Sequence, residues 1–149
     1  MSYSRRLKNV LEQIEKVEND LNKKLIDEFS KYLVTKEASA NYQRNCIKIM
    51  LMIAEFIQKN KGLNLTQIDS SSDIILFLDS RKKSREQDPD QKWITTWNDY
   101  LWRIKIFYRW YYNTKILKHN IFDSRNWITS DFLAIPKKKT KRLSSYSEW

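Results

Sequence analysis

Glycine and proline are almost absent from this chain, which has one Gly and two Pro in 149 residues. Tight turns that need a positive φ favour glycine, so a fold built from many such turns is excluded. Glycine-rich phosphate-binding loops need several glycines at fixed spacing and are excluded as well. Helices joined by a few loops remain, and the length fits one domain.

Cysteine and histidine are equally scarce, since Cys46 and His119 are the only ones. One cysteine cannot form a disulfide within the chain or a zinc ribbon, and one histidine cannot build a histidine-rich metal site. A Cys46–His119 pair is formally available, but Cys46 lies in an apolar helical pattern, where a free cysteine behaves as a small buried hydrophobe. No carboxylate pair has a context that would desolvate it. We therefore expect no cofactor, no metal and no enzymatic activity.

Long apolar runs are also missing. No stretch approaches the ~18 residues of a membrane-spanning helix, and residues 1–8 do not resemble a signal peptide. Together with the lone cysteine, these features predict a cytoplasmic protein without a membrane partner.

Positive charge is abundant. The chain has 28 Lys and Arg against 18 Asp and Glu, for a net charge of +10, and its pI is about 9.6. A domain with pI above ~9 has the electrostatics of a phosphate-backbone binder. We expect a nucleic-acid partner and association with the nucleoid; the alternative is a basic soluble protein whose charge has no function.

Apolar residues recur at helical spacing along most of the chain. The N-terminal pattern predicts one long helix, or two in series, over residues 4–34. Ser39 is a plausible N-cap for the next helix and Gly62 a C-terminal stop. Further helices are predicted over residues 40–59, 73–83 and 91–113, with a helical turn at 130–134 and a polar loop at 82–92. The predicted fold class is all-α, a bundle of four to five helices with a long N-terminal helix over residues 1–135, followed by a basic linker at 136–149.

The helix predicted over 91–113 has a broad apolar face that Arg103, Lys105 and Arg109 interrupt. We expect these three side chains to reach solvent or an anion. Tryptophans at helical spacing usually belong to a core, although they can also stack on unpaired bases, as in single-strand binders. Trp102 is the exception because it lies off the main apolar stripe.

Residues 107–110, Phe-Tyr-Arg-Trp, close a segment that resembles the last helix of the core-binding domain in tyrosine recombinases, the phage-integrase family. In that family a Thr near the helix start precedes a leucine, a basic residue and this motif or a close variant. Ser39 and Tyr42 are similar to the family's cap and tyrosine on an earlier helix, and residues 68–81 look like its short Ile-rich element. The resemblance covers about residues 20–142, in order.

The resemblance implies a role in recombination without catalysis. The family's catalytic set is an Arg, a Lys, a His-x-x-Arg pair and a nucleophilic Tyr, which follow a basic linker. Here Phe122 stands three places after His119, and residues 143–148 look like the start of the catalytic domain. We therefore expect an isolated binding domain, whose partners are the catalytic domain of the same parent protein and double-stranded DNA.

In the family this domain and the catalytic domain clamp a recombination half-site, and the second and fourth helices face the duplex. The DNA-binding residues that this implies are Asn41, Arg44, Asn45 and Lys48 on one helix, and Lys92, Thr95, Thr96, Arg103, Lys105 and Arg109 on the other. The basic linker adds Lys137, Lys138, Lys139, Lys141 and Arg142, either as a free tail or as a segment that lies along the DNA backbone. A homo-oligomer on DNA stays open. The alternatives are a stand-alone DNA-binding regulator and a protein-interaction adaptor that uses the N-terminal helix.

Overall fold

The computed structural model describes residues 2–139, with side chains from Arg5 onward. Five α-helices and no strand occur in this range, which confirms the all-α prediction. They are α1 Ser2–Ile14, α2 Asp20–Thr35, α3 Ala40–Lys61, α4 Ser71–Asp79 and α5 Lys92–Tyr111. A π-helical turn, Tyr112–Ile116, extends α5, and short 3₁₀ turns occupy Leu65–Gln67, Ser124–Asn126 and Asp131–Leu133.

The prediction of one long N-terminal helix is wrong, and the alternative prediction of two helices in series is confirmed. Asn19 begins a new helix because its side-chain Oδ1 accepts a hydrogen bond from the Asn22 backbone N–H at 2.9 Å. The apolar stripe is divided accordingly: Val10 and Ile14 are buried, whereas Leu21 is 41% exposed. The first helix packs mainly against α3.

The ends of α3 follow the sequence signals. Ser39 Oγ accepts a hydrogen bond from the Tyr42 backbone N–H at 3.1 Å, and Gly62 ends the helix at φ +66°. With so few glycines, other turns use larger residues in the left-handed region, Glu37 at φ 62° after α2 and Gln91 at φ 55° before α5. Because Gln91 gives no side-chain cap, Asp88 Oδ2 accepts from the Trp93 N–H at 2.8 Å instead.

The third helix lies at the centre, with α1, α2, α4 and α5 packed around it. Aromatic rings join α2 to α5: Phe29 packs edge-on against Phe107 with centroids 5.1 Å apart, and Trp110 lies 5.4 Å from Phe29. The Tyr108 hydroxyl donates to the Leu65 carbonyl at 2.8 Å, so the 3₁₀ turn after α3 is fixed to α5. The core thereby sets the position of both helices on which the binding residues were predicted.

Residues 124–138 form a strap that runs back along one edge of α5; we call it the C-terminal strap. Side chains at four positions along one edge of α5 and its π-helical extension hold the backbone of the strap. Asn98 bonds Lys138, Lys105 Nζ donates to the Ile135 carbonyl at 2.9 Å, Arg109 bonds Ser124 and Trp127, and Asn113 bonds Ile128. The strap's own Trp127, Leu133 and Ile135 are buried.

The first residues of the predicted basic linker, 136–149, pack against the protein. Lys138 exchanges two backbone hydrogen bonds with the Asn98 side chain, and its ammonium lies 4.8 Å from the Trp97 ring centroid. The first basic residues are therefore attached to α5. Lys141 and Arg142 lie outside the described residues.

Candidate nucleic-acid interface

The solvent-facing side of α3 has the polar residues that the sequence placed there. Asn41 and Lys48 are exposed, while Arg44 and Asn45 are half-buried. The Arg44 guanidinium donates from Nη1 to Asn45 Oδ1 at 2.9 Å, and its Nε is buried without a hydrogen-bond partner. These four side chains lie opposite the buried face of the helix, as predicted.

The first half of α5 adds a second row. Lys92, Thr96, Asp99 and Arg103 follow one another at spacings of four, three and four, which puts them on one line along the helix. Arg103 on that line contacts α3, because its Nη1 lies 3.4 Å from Cys46 Sγ. Lys92, Thr95 and Thr96 are exposed. Lys92 and Thr96 therefore lie along the edge of α5 that Arg103 joins to α3.

Where α3 and α5 meet, an aromatic–cation cluster forms from Lys36, Tyr42, Trp102 and Arg103. The guanidinium carbon of Arg103 is 5.6 Å from the Tyr42 ring centroid and 5.0 Å from that of Trp102. The Tyr42 ring meets Trp102 edge-on at 5.7 Å, and the Lys36 ammonium lies 5.2 Å from the Tyr42 centroid. Cations near aromatic faces gain electrostatic stabilisation of about 0.5–1 kcal/mol at exposed sites.

Arg103 is held within the protein on several sides. Its Nε donates to Asp99 Oδ2 at 3.1 Å, and its side chain is 11% exposed. Burial alone lowers the pKa of Arg103, but the hydrogen bonds to Cys46 and Asp99 outweigh that effect and raise it. Burial raises the pKa of Cys46, which Arg103 only partly offsets. Cys46 is fully buried, as the apolar pattern predicted.

Arg103, Lys105 and Arg109, which we expected to reach solvent or an anion, are half-buried and bonded within the protein, and their predicted contact with DNA stays a prediction. Arg103 bonds Asp99 and Cys46, Lys105 bonds the Ile135 carbonyl, and Arg109 Nη2 donates to the Ser124 and Trp127 carbonyls at 2.9 and 3.1 Å. Backbone carbonyls compete for these donors as an anion would. Lys105 and Arg109 therefore hold the strap, on a different edge of α5 from the line of Lys92 and Arg103.

The basic residues at the end of the strap are divided in the same way. Lys137 and Lys139 are exposed, whereas Lys138 is half-buried against Trp97.

Charge is distributed unevenly over the chain: residues 2–35 have seven basic and six acidic side chains, but residues 92–139 have ten basic and three acidic ones. Positive potential therefore concentrates around α5 and the strap.

Sequence reasoning missed Lys36 and Asn98. Lys36 is the C-cap of α2 and reaches Tyr42 across the turn, with its Nζ 3.5 Å from the Tyr42 hydroxyl. Its place three residues before the Ser39 cap could have indicated that it lies beside the start of α3. Asn98 gave no signal, since the sequence does not show which backbone groups an asparagine meets.

Other features of residues 2–139 do not form an obvious chemical site. This part of the chain has no group of three or more His, Cys, Asp or Glu side chains placed to share a metal ion. It also has no helix that combines the length and apolar character needed to cross a membrane. An open cleft of about 590 Å³ beside the π-helical turn is lined by Tyr108, Tyr111 and Phe132, among others, away from the α3 residues.

Comparisons of the chain with protein-family models, with curated proteins and with solved structures find no match. The similarity to tyrosine recombinases therefore rests on the sequence motifs alone.

Proposed function

We propose that this chain binds double-stranded DNA through the outer side of α3, the first turns of α5 and the exposed lysines of the strap. The observation that carries the proposal is that Lys48 on α3, Lys92 on α5 and Lys137 on the strap are all exposed, while Arg103 joins α5 to α3 and Lys105 joins α5 to the strap. Lysines neutralise phosphates, while short amides and hydroxyls such as Asn41 and Thr96 add hydrogen bonds that fix the register.

Acidic side chains are few on these elements, which supports an anionic partner. Only Glu55 lies within α3 and only Asp99 within α5, and Asp99 is paired with Arg103. A phosphate that approaches between the two helices therefore meets mostly cations and neutral donors. Non-specific affinity for DNA derives mainly from such charge pairing with release of counterions.

The more specific part of the proposal is that the chain is the core-binding domain of a site-specific tyrosine recombinase, with no catalytic role of its own. The Phe-Tyr-Arg-Trp motif supports this as a similarity of fold. Phe107 and Trp110 are core residues, Tyr108 fixes the turn at Leu65, and Arg109 fixes the strap. A motif with these packing roles would accompany the fold, while DNA contacts come from Lys48, Lys92 and their neighbours.

The binding test is fluorescence anisotropy on a labelled 24-base-pair duplex at several salt concentrations. The double variant Lys48→Gln/Lys92→Gln is compared with the double variant Lys16→Gln/Lys24→Gln. The second removes the same charge from two exposed positions, one between α1 and α2 and one within α2. If both lysines of the first pair touch phosphates, the slope of log affinity against log salt flattens by about 1.8. The control pair is expected to leave it nearly unchanged. Equal effects of both pairs, or no binding by the parent at 50 mM salt, would refute the proposal.

The recombinase part has two tests of its own. The reading frame that encodes the chain is expected to continue past Trp149 into a set of Arg, His-x-x-Arg and Tyr. The chain alone is expected to form no covalent adduct with a nicked duplex. An adduct mapped to any of its tyrosines would contradict the non-catalytic role.

A further inference from the structure

Trp102 is more exposed to solvent than the tryptophans that belong to the core. Trp97, Trp110 and Trp127 are at most 7% exposed, whereas Trp102 is 48% exposed. A single exposed apolar residue is common on protein surfaces and needs no explanation by itself. The surroundings of this indole are what set it apart.

The ring is held in place by the aromatic–cation cluster. Arg103 lies 5.0 Å from the Trp102 centroid and is itself fixed by Asp99 and Cys46, and the Tyr42 ring supports the indole edge-on at an interplanar angle of 89°. Half of the side chain remains open to solvent. A ring that is oriented before binding loses little conformational entropy when a flat ligand covers it.

Exposed lysines lie on the two segments that border the indole. Lys36 is exposed and lies beside Tyr42 on the α3 side. On the other side the strap is anchored to Lys105 and Asn98, which come three residues after and four residues before Trp102, so the strap passes alongside it. Lys137 lies in the span between these anchors and is exposed. Two acidic residues lie near these cations. Asp99 is paired with Arg103, and Glu37 directly follows Lys36 in the sequence.

We propose that Trp102 stacks on an unpaired DNA base, while Lys36 and Lys137 contact the adjoining phosphates. This rests on the proposed function and specifies its partner: DNA in which a bulge, flap or branch interrupts a duplex. An aromatic platform bordered by cations is the arrangement that binds single-stranded nucleic acid, because every base has a π-face and every nucleotide a phosphate. A paired base is already stacked on both sides, and exposing it costs a few kcal/mol, so a perfect duplex cannot use the indole without distortion.

The experiment uses two labelled duplexes that differ only by one bulged 2-aminopurine, whose fluorescence falls when it stacks. Base–aromatic stacking contributes about 1–3 kcal/mol per base, so Trp102→Leu is expected to weaken binding to the bulged duplex roughly five- to 150-fold and to abolish the quenching. Affinity for the perfect duplex should stay within twofold. Trp102→Phe should keep most of the quenching because it preserves an aromatic face.

Phe122→Leu is the matched control, since Phe122 is an aromatic residue 78% exposed outside the cluster. It should change neither affinity nor quenching, and circular dichroism should show all variants folded. Equal losses by Trp102→Leu on both duplexes, or no loss on either, would overturn base stacking while duplex binding by the parent still supports the proposed function. If the parent binds neither duplex, both proposals fail.

Discussion

Asn98 and Lys138 exchange two hydrogen bonds although they are 40 residues apart in the sequence. Asn98 Nδ2 donates to the Lys138 carbonyl at 2.9 Å, and the Lys138 N–H donates to Asn98 Oδ1 at 2.8 Å. A side-chain amide can make both bonds because it presents a donor and an acceptor side by side, as the N–H and C=O of a single residue do on the other side. One residue of α5 thereby fixes where the basic end of the strap lies.

Replacing Asn98 with Ala should release that end. With about 1 kcal/mol for each net hydrogen bond, we expect a loss of ~1–2 kcal/mol in the free energy of unfolding and faster trypsin cleavage after Lys137 and Lys138. Urea titration and timed proteolysis measure the two effects. Asn41→Ala, at an exposed asparagine on α3, should change neither quantity. Unchanged cleavage in Asn98→Ala would mean that the two hydrogen bonds do not hold the strap.

Arg109 is expected to matter for stability more than for DNA. Arg109→Met removes the donor to the Trp127 carbonyl and one of two donors to the Ser124 carbonyl, which also accepts from the Trp127 N–H at 3.2 Å. At about 1.5–3 kcal/mol for each hydrogen bond from a charged group, the two bonds would contribute about 3–6 kcal/mol. Because the site is only partly buried, we expect a loss of about 2–3 kcal/mol by urea denaturation. Arg125→Met removes an exposed arginine nearby and should cost little. If the Arg109→Met protein were as stable as the parent but bound DNA more weakly, Arg109 would instead be a DNA-contacting residue.

Tyr108 should make the fold sensitive to alkali. Burial raises the pKa of Tyr108 well above its ordinary value of 10.0. As the pH rises, the Tyr108 hydroxyl therefore loses its proton in the unfolded chain before it does so in the folded protein. The stability that the protonated hydroxyl contributes to the fold is complete below pH 10 and is lost as the pH rises toward the folded pKa. The slope is at most about 1.4 kcal/mol per pH unit for each tyrosine.

The measurement compares the parent with Tyr108→Phe by urea denaturation from pH 8 to 11.5. At pH 8 the variant should be less stable by about 1–2 kcal/mol, because the buried Leu65 carbonyl loses its 2.8 Å hydrogen bond and keeps only the longer one from the Ile68 N–H at 3.4 Å. Above pH 10 the difference should narrow. Burial also raises the pKa of Tyr32, Tyr42 and Tyr111, so both proteins lose stability in alkali. A constant difference at every pH would contradict the role assigned to Tyr108.

Glu37 offers a way to stabilise the protein. It adopts φ 62° just after α2, where the Ala38 N–H bonds the Leu33 carbonyl and the Glu37 N–H bonds that of Val34. Glycine is favoured at this position because a Cβ there costs roughly 1–2 kcal/mol. We expect Glu37→Gly to raise the free energy of unfolding by about 0.5–1 kcal/mol after glycine's entropic cost. Glu55→Gly, at an exposed position inside α3, should lower it by about 1 kcal/mol; the same sign for both would refute the argument.

The sequence predicted the elements whose signals are local. Ser39 and Gly62 mark both ends of α3, because a hydroxyl cap and a left-handed glycine act within a few residues. The separation of α1 from α2 was less certain, since the apolar spacing from Leu7 to Leu21 continues through it without Gly or Pro. Only Asn19, a good N-cap, marks the break.

The candidate site was harder to predict where backbone groups are the partners. The sequence placed Lys105 and Arg109 on α5 correctly, yet nothing in it shows that the carbonyls of Ile135, Ser124 and Trp127 return to meet them. Every residue has a carbonyl, so a donor's partner depends on the path of the chain. Trp102 was singled out correctly because its exposure follows from helical periodicity alone.

The strap also determines how the fold can open. Its anchors join residues 15 to 40 positions apart, so they form only after α5 and the returning chain are both in place. Detaching it would expose Trp127, Leu133 and Ile135 and leave Lys105 and Arg109 without acceptors at the same moment. The two costs coincide, and the strap should open and close as one cooperative unit in native-state hydrogen exchange. During each opening the α5 edge would briefly present two additional cations to solvent.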